Sequence, residues 1–260
     1  MAQAGQLREA EPHLAELMIH PDEDGPEICE AFINGFLLAY RFNDAARLLD
    51  VWQADYPDDP QAHYIRGMLA TSSGDNKNAV ASLRLALRLA PHRKDIRQEL
   101  ADLLVTLHEY GEAEQLFRKS LQSDSDNPDL LIGLGTCLVE RGDLQAGRQT
   151  FERVLQKSPN LHTARLALGR LELKLDHASE AIMLLSPLAT ERSYDSAVRF
   201  SLALALQAAG RADEAKEHFQ FVDKAQRAID RMQFLMDAAK KNPDDAEVRY
   251  QIGMICLKYE

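Results

Sequence analysis

The sequence predicts an all-α fold: an α-solenoid, a right-handed superhelix of stacked antiparallel helix pairs. Three observations predict it. Apolar residues recur at helical spacing in short blocks. Paired blocks are split by a polar turn and closed by a proline. The whole pattern returns every 34 residues. Pro60–Pro91 shows it most clearly: Ala62, Ile65 and Leu69 form one stripe, Ser72-Ser73-Gly74-Asp75 breaks it, Val80, Leu83, Ala86, Leu87 and Ala90 form the next, and Pro91 stops it. Neither helix can bury its stripe alone, so the unit requires copies of itself alongside.

The copies begin at Pro26, Pro60, Lys94, Pro128, His162 and Ser196. Counting each start as slot 1, slot 8 holds Ile33, Gly67, Ala101, Gly135, Gly169 and Ala203. Slot 20 holds Ala45, Ala79, Ala113, Gly147, Ala181 and Ala215, and slot 24 holds Leu49, Leu83, Phe117, Phe151, Leu185 and Phe219. Slot 15 carries Gly74, Gly142 and Gly210, and slot 32 carries Pro57, Pro91 and Pro159. Small residues at slots 8 and 20 let the crossing helices approach to the short end of the roughly 8–10 Å packing range, and slot 24 fills the space beside them. Ala113→Leu is expected to overpack the crossing at a cost of about 1–3 kcal/mol.

With these positions in place, the chain resembles the tetratricopeptide repeat, a helix–turn–helix unit with small, small, aromatic and proline positions in this order. The resemblance covers almost the whole chain. The family's aromatic at slot 4 is replaced by Cys29, His63, Arg97, Leu131, Arg165 and Arg199, and slot 11 of the fifth repeat is Glu172.

The first residues do not start a full repeat. Gln6–Ile19 reads as one helix, the second half of a partial repeat, with Pro12 in its early turns, and His20–Gly25 reads as an acidic connector. Residues 1–25 are thus a partial repeat plus connector, and 26–223 are six repeats. The first has no glycine in its turn at Tyr40–Asn43, and Trp52 is expected in its core. Pro187 is expected to kink or end the second helix of the fifth repeat. After Asp223 the period fails: no Gly or Pro occurs from Ala212 to Lys241, which predicts one helix of about 45 Å, with 224–245 as a helical extension. Residues 246–260 read as the first helix of a truncated further repeat, with Ile252, Ile255, Cys256 and Tyr259 on its open side. Uncapped ends of this kind suggest a piece of a longer protein, or self-association through those ends.

Composition narrows the partner. The net charge is −11, with 45% apolar and 27% charged residues. An acidic balance argues against nucleic acid, which needs clustered Lys and Arg, and favours a basic or mixed-charge protein or peptide. No apolar run reaches the ~20 residues of a membrane span, and Met1–Ala10 lacks a signal core. The default expectation is a cytoplasmic chain. Cys29, Cys137 and Cys256 are far apart and read as buried thiols.

Reaction chemistry finds no foothold. The eight histidines form no H-x-x-x-H pair. The Asp124–Pro128 loop lacks the glycine and glutamate of a calcium loop. Gly133 and Gly135 lie within a helix rather than in a phosphate loop, and Asp58-Asp59 and Asp244-Asp245 sit at helix starts, where they meet the helix dipole. No enzyme activity, metal or cofactor is expected.

What remains is a surface. The resemblance implies that first helices line a concave groove through slots 2, 5, 6, 9, 12 and 13. Its candidate peptide-binding residues are Asn34, Tyr64, Met68, Gln98, Glu99, Asp102, Thr136, Arg170 and Phe200. Glu27, Glu30, Asp95, Asp129 and Glu140 add acid toward one end, while Ile65, Ile132, Val139, Leu173 and Leu204 add apolar surface. Two known uses of the family do not fit. The chaperone carboxylate clamp would need cations where Glu30, Asp95 and Glu99 stand, and the asparagine ladder at slot 6 reads Ala31, Ile65, Glu99, Gly133, Ala167 and Ser201. The expected function is a non-enzymatic scaffold holding a partner's peptide or helix. The alternative is the regulatory or substrate-presenting arm of a larger enzyme or assembly.

Overall fold

The computed structural model describes residues 10, 12–14, 24–191, 194–241 and 245–259. Every regular element among them is a helix. In chain order these are α1 (Gly25–Leu38), α2 (Phe42–Asp55), α3 (Pro60–Ser73), α4 (Asn76–Leu89), α5 (Lys94–Thr106), α6 (Tyr110–Leu121), α7 (Pro128–Glu140), α8 (Leu144–Lys157), α9 (His162–Lys174), α10 (Ala178–Glu191), α11 (Ser196–Ala208), α12 (Ala212–Lys241) and α13 (Ala246–Tyr259). Most of the expected helix over Gln6–Ile19, most of the connector after it, Asp244 and the side chain of Tyr259 lie outside the described residues. Ala10 and residues 12–14 are helical.

The helices pack as sequential pairs, the all-α solenoid class that the period implies. The chain forms two compact units, Met1–Cys137 and Leu138–Glu260, with the division falling inside α7. In the first unit one core gathers Cys29, Ile33, Leu49 and Trp52, and another gathers Leu83, Leu104, Phe117 and Leu130. The second unit's core is built on Leu185, Leu188, Val198 and Leu202. Trp52 is fully buried, and its indole N–H donates to Asp59 Oδ2 at 3.0 Å. Asp59 Oδ1 meanwhile accepts from the Gln61 amide and caps α3.

Each hairpin turns in one way. The slot-16 amide donates to the slot-11 carbonyl, as in Asp75→Ala70 (2.9 Å) and Glu109→Leu104 (2.8 Å), and the slot-15 amide donates to the slot-12 carbonyl. This pairing satisfies the last carbonyls of the helix and puts slot 15 in the left-handed region. Gly74, Gly142 and Gly210 are there, but so are Tyr40 (φ 57°), His108 (φ 63°) and Asp176 (φ 61°). The glycine missing from the first repeat is therefore replaced by a strained tyrosine, not by a different turn.

Small slots receive bulk directly. A Cβ on Gly67 would lie 2.6 Å from Leu83 Cγ, and one on Gly169 would lie 2.8 Å from Leu185 Cγ, so slot 24 lies over slot 8 of its own repeat. Gly133 serves a second contact: its missing side chain makes room for the Phe117 ring.

Slot 4 also acquires a role. His63 Nε2 donates to the Pro57 carbonyl at 2.7 Å, Arg165 Nε donates to the Pro159 carbonyl at 2.7 Å, and Arg97 Nη2 donates to the Pro91 carbonyl. Where the preceding repeat ends in the slot-32 proline, the family aromatic has become a hydrogen-bond donor tying one repeat to the next.

Two expectations need correction, and of the two outcomes expected for Pro187 one is excluded: α10 does not end there but runs on to Glu191. The carbonyl four residues back belongs to Met183, on the exposed side of α10, where water can satisfy it. Cys256 is half-buried rather than buried, unlike Cys29 and Cys137. Ile65 and Val139, expected on the groove, are buried in packing.

Candidate protein-binding surface

In the first unit, α5 and the start of α7 carry the acidic residues. Asp102 and Asp129 are exposed, and Glu99 and Gln98 are half-buried. Asp102 stands on a wall crowded enough for burial to push its carboxyl up to about 6, and the nearby charges of Glu99 and Asp129 add to the shift. A hydrogen bond from Gln98 opposes it. Part of the Asp102 surface stays open to solvent.

Tyr64 forms the aromatic neighbour of this wall. It is half-buried, and burial followed by the charges of Glu99 and Asp95 raises its phenol above the ordinary value. Arg93 lies over the Tyr64 ring, 5.3 Å from its centroid. The same guanidinium donates to Asp95 (2.5 Å) and to Gln61 Oε1 (2.8 Å), and Gln61 Nε2 donates to Glu30 Oε1 (2.7 Å). The contact with Arg93 holds Asp95 below the usual carboxylate range. A polar chain Glu30–Gln61–Arg93–Asp95 thus crosses α1, α3 and α5. Arg93 is spent on Asp95, and Glu99, Asp102 and Asp129 are the acids that stand beyond it on the same wall.

The remaining expected residues fall out as follows. Asn34 is exposed on α1, and Met68 is half-buried one turn along α3 from Tyr64. Thr136 turns its hydroxyl inward, donating to the Ile132 carbonyl at 2.9 Å. In the second unit Arg170 is exposed and donates to Ser201 Oγ at 3.1 Å. Phe200 is 45% exposed, stands edge-on to Phe219 at 6.0 Å between centroids, and lies one turn from exposed Leu204. Lys174 is paired with Glu140 at 2.6 Å. The structure thus brings Tyr64, Gln98, Glu99 and Asp102 together in one unit, while Arg170 and Phe200 belong to the other.

Gln61 stands at slot 2, one of the groove slots, whereas Arg93 does not follow from them, yet both belong to the surface. Arg93 ends the inter-repeat loop before α5, and only its pairing with Asp95 two residues on hints at its place. Among the described residues no group of His, Cys, Asp or Glu is placed to hold a metal, and no helix is long and apolar enough to cross a membrane. The Asp124–Pro128 loop works as a cap: Asn127 Oδ1 accepts from the amides of Asp129 and Leu130 at the start of α7.

Comparison with known proteins agrees with the repeat. Sequence models described as tetratricopeptide repeat match residues 39–93 and 105–168. Protein CTR9 homolog of Arabidopsis thaliana is 28% identical over 140 residues, covering 54% of this chain and 12% of that protein. The general transcriptional corepressor trfA of Dictyostelium discoideum is 29% identical over 120 residues, covering 44% and 9%. The chain spans only these small fractions of the curated relatives it matches. Among solved structures, a tetratricopeptide repeat protein from Parabacteroides merdae superposes with a TM-score of 0.65 at 15% identity, over 97% of this chain and 93% of that one. The type IV pilus biogenesis factor PilW gives 0.64 at 16% identity, over 86% and 97%. At such identities the likeness concerns the fold alone.

Proposed function

We propose that this chain, which belongs to the tetratricopeptide-repeat family, is a non-enzymatic scaffold that holds a basic or mixed-charge peptide, or a partner's helix, against the acidic wall of its first unit. One observation carries the reading: burial, and then the charges of Glu99 and Asp129 close by, raise the Asp102 carboxyl to about 6, and the Glu99 charge also acts on the Tyr64 phenol. A cation brought to that wall relieves the repulsion. Tyr64 and Met68 offer the apolar anchors that dominate such interfaces, and the acids steer the approach. Phe200 and Leu204 give the second unit an apolar anchor of its own.

The test is a panel of equal-length peptides that differ only in charge, measured at low and high salt. The lysine-bearing member should bind tightest, weaken as salt rises, and lose its advantage to the glutamate-bearing member in a Glu99→Lys/Asp102→Lys variant. Equal binding of cationic, neutral and anionic members, independent of salt, would refute the electrostatic half of the reading.

The small share of each curated relative that this chain matches favours a second reading, in which these repeats are one arm of a larger assembly. The corepressor named above makes a transcription-associated assembly the first to examine. Co-purification of the tagged chain would decide: a stable complex supports the second reading, and free monomer argues for an autonomous scaffold.

A further inference from the structure

Away from the acidic wall, on the opposite side of α3 from Tyr64, a cleft of about 880 Å³ opens between α2 and α4. Its floor is apolar, with Ala46, Leu69 and Ala70, and Phe42 stands at its mouth. That volume lies within the ~300–1,000 Å³ of ordinary ligand sites.

The cleft is a deficit of leucine. Ala70, Ser73 and Ser82 stand at slots 11, 14 and 23, where the next repeat has Leu104, Leu107 and Leu116 packed into its core. Slot 21 of one repeat meets slot 11 of the next: Arg148 and Glu172, at those slots, are 2.8 Å apart. Between the first and second repeats that pair is Ala46 and Ala70, which leaves the contact unfilled. Between the second and third it is Val80 and Leu104, both buried.

The polar groups at one end are already satisfied. Arg66 donates to Asp50 (2.5 Å) and to Gln53 Oε1 (2.7 Å). Gln53 therefore turns its amide N–H to His63 Nδ1 (3.0 Å), and His63 Nε2–H goes to the Pro57 carbonyl. Both ring nitrogens of His63 are thus occupied, and the Arg66 charge is met by Asp50. At the other end the Asp75 carboxylate accepts from the Asn78 amide (3.3 Å) and from Asn78 Nδ2 (2.6 Å), so the guest that complements these satisfied groups is uncharged. Two aromatics mark the rim: Phe42 is 53% exposed, and Tyr40, strained into the left-handed region, is 82% exposed and stands edge-on to the Phe42 ring at 6.3 Å.

We propose that this cleft is a second docking site, which receives the leucine side chains of an uncharged amphipathic helix from a partner protein, with Phe42 and Tyr40 as rim contacts. The guest supplies the side chains that Ala70, Ser73 and Ser82 lack.

The probe is an acetylated, amidated, uncharged helical peptide with leucine at i, i+3 and i+7, titrated into methyl-labelled protein. A control peptide carries serine at those places. The expected result is saturable shifts of the Ala46, Leu69 and Ala70 methyls with the leucine peptide only. Ala70→Leu should weaken binding about tenfold or more, equivalent to about 1.4 kcal/mol, and should raise the melting temperature. Phe42→Ser should weaken binding without changing the fold, and Glu99→Lys/Asp102→Lys should leave it unchanged. Should Ala70→Leu lose helicity, Ser82→Leu at the half-buried wall fills the cleft from its other side and should weaken binding likewise. Absent shifts at the three methyls, equal shifts with the serine peptide, or undiminished affinity in the filled variant would overturn the proposal.

Discussion

The junction between the first and second repeats and the junction between the second and third use equivalent helices, turns and slots, yet the first opens a cleft of about 880 Å³ lined by Ala46 and Ala70, while the second has a smaller one of about 580 Å³ that leaves Val80 and Leu104 buried. At the first, Ala46 meets Ala70 and the neighbouring positions are Gln53 and Arg66. At the second, Val80 and Leu104 are buried, and Leu87 and Leu100 replace the glutamine and arginine. The second unit shows a third solution, where Glu172, 1% exposed, is held by Arg148 and by His177 at 2.7 Å. The hairpin fold therefore does not depend on what fills slots 21 and 11. Small slots 8 and 20 and the left-handed slot 15 define the hairpin, and the junction slots are free to become core, ion pair or cleft.

Substitutions at these junctions sharpen the comparison. The largest effect is expected for Glu172→Ala, which takes the buried carboxylate from both Arg148 and His177 and leaves Arg148 with Glu152 at 3.2 Å on its own helix. Removing one partner of a buried pair costs about 3–5 kcal/mol, toward the lower end here because Arg148 is partly exposed. Glu172→Met should cost far less, and chemical denaturation of both variants measures the gap. Leu104→Ala converts the better filled junction toward the more open one and should cost about 2–5 kcal/mol. Ala70→Leu does the reverse and should add about 0.5–2 kcal/mol. Opposite signs at matched slots are the signature to look for in thermal melts.

Smaller effects test the turns and the wall. Tyr40→Gly and His108→Gly should each stabilise by about 1 kcal/mol by removing left-handed strain, whereas Gly74→Ala should destabilise by a similar amount. Asp102 has the least effect on stability and the clearest pH signature. Its folded value, about 6, lies above its ordinary 3.8, so the folded state takes up the proton first as pH falls. The charged carboxylate thus opposes folding above about pH 6, and that penalty is relieved between about 6 and 4. Asp102→Asn should flatten the stability profile in that window. In the unmodified chain, affinity for a cationic peptide should drop as pH falls through the same range.

Much of the hairpin was legible in the sequence because it is written locally. Helices begin at Pro60, Lys94, Pro128, His162 and Ser196, where slot 1 recurs, and Ala212–Lys241 is one unbroken helix where glycine and proline are absent. The junctions were less legible, because slots 21 and 11 meet only across repeats. An alanine at either is an ordinary helix former until its partner is known to be an alanine too. Tyr40, His108 and Asp176 concealed the left-handed slot because only glycine signals it cheaply. The slot-4 donors were visible as departures from the aromatic, but their meaning depends on the proline carbonyl before them. Among the groove residues, Tyr64, Glu99 and Asp102 follow from slot position alone, whereas Arg93 comes from a connector and Ile65 is drawn into the core.

The most direct test of the acidic wall as a binding surface is a chemical-shift map of the isotopically labelled chain titrated with a lysine-bearing peptide at low salt. Binding at the wall predicts saturable shifts centred on the amides of Tyr64, Met68, Gln98, Glu99 and Asp102, abolished by Glu99→Lys/Asp102→Lys. Shifts that avoid those residues, or that persist unchanged in the charge-reversed variant, would contradict it.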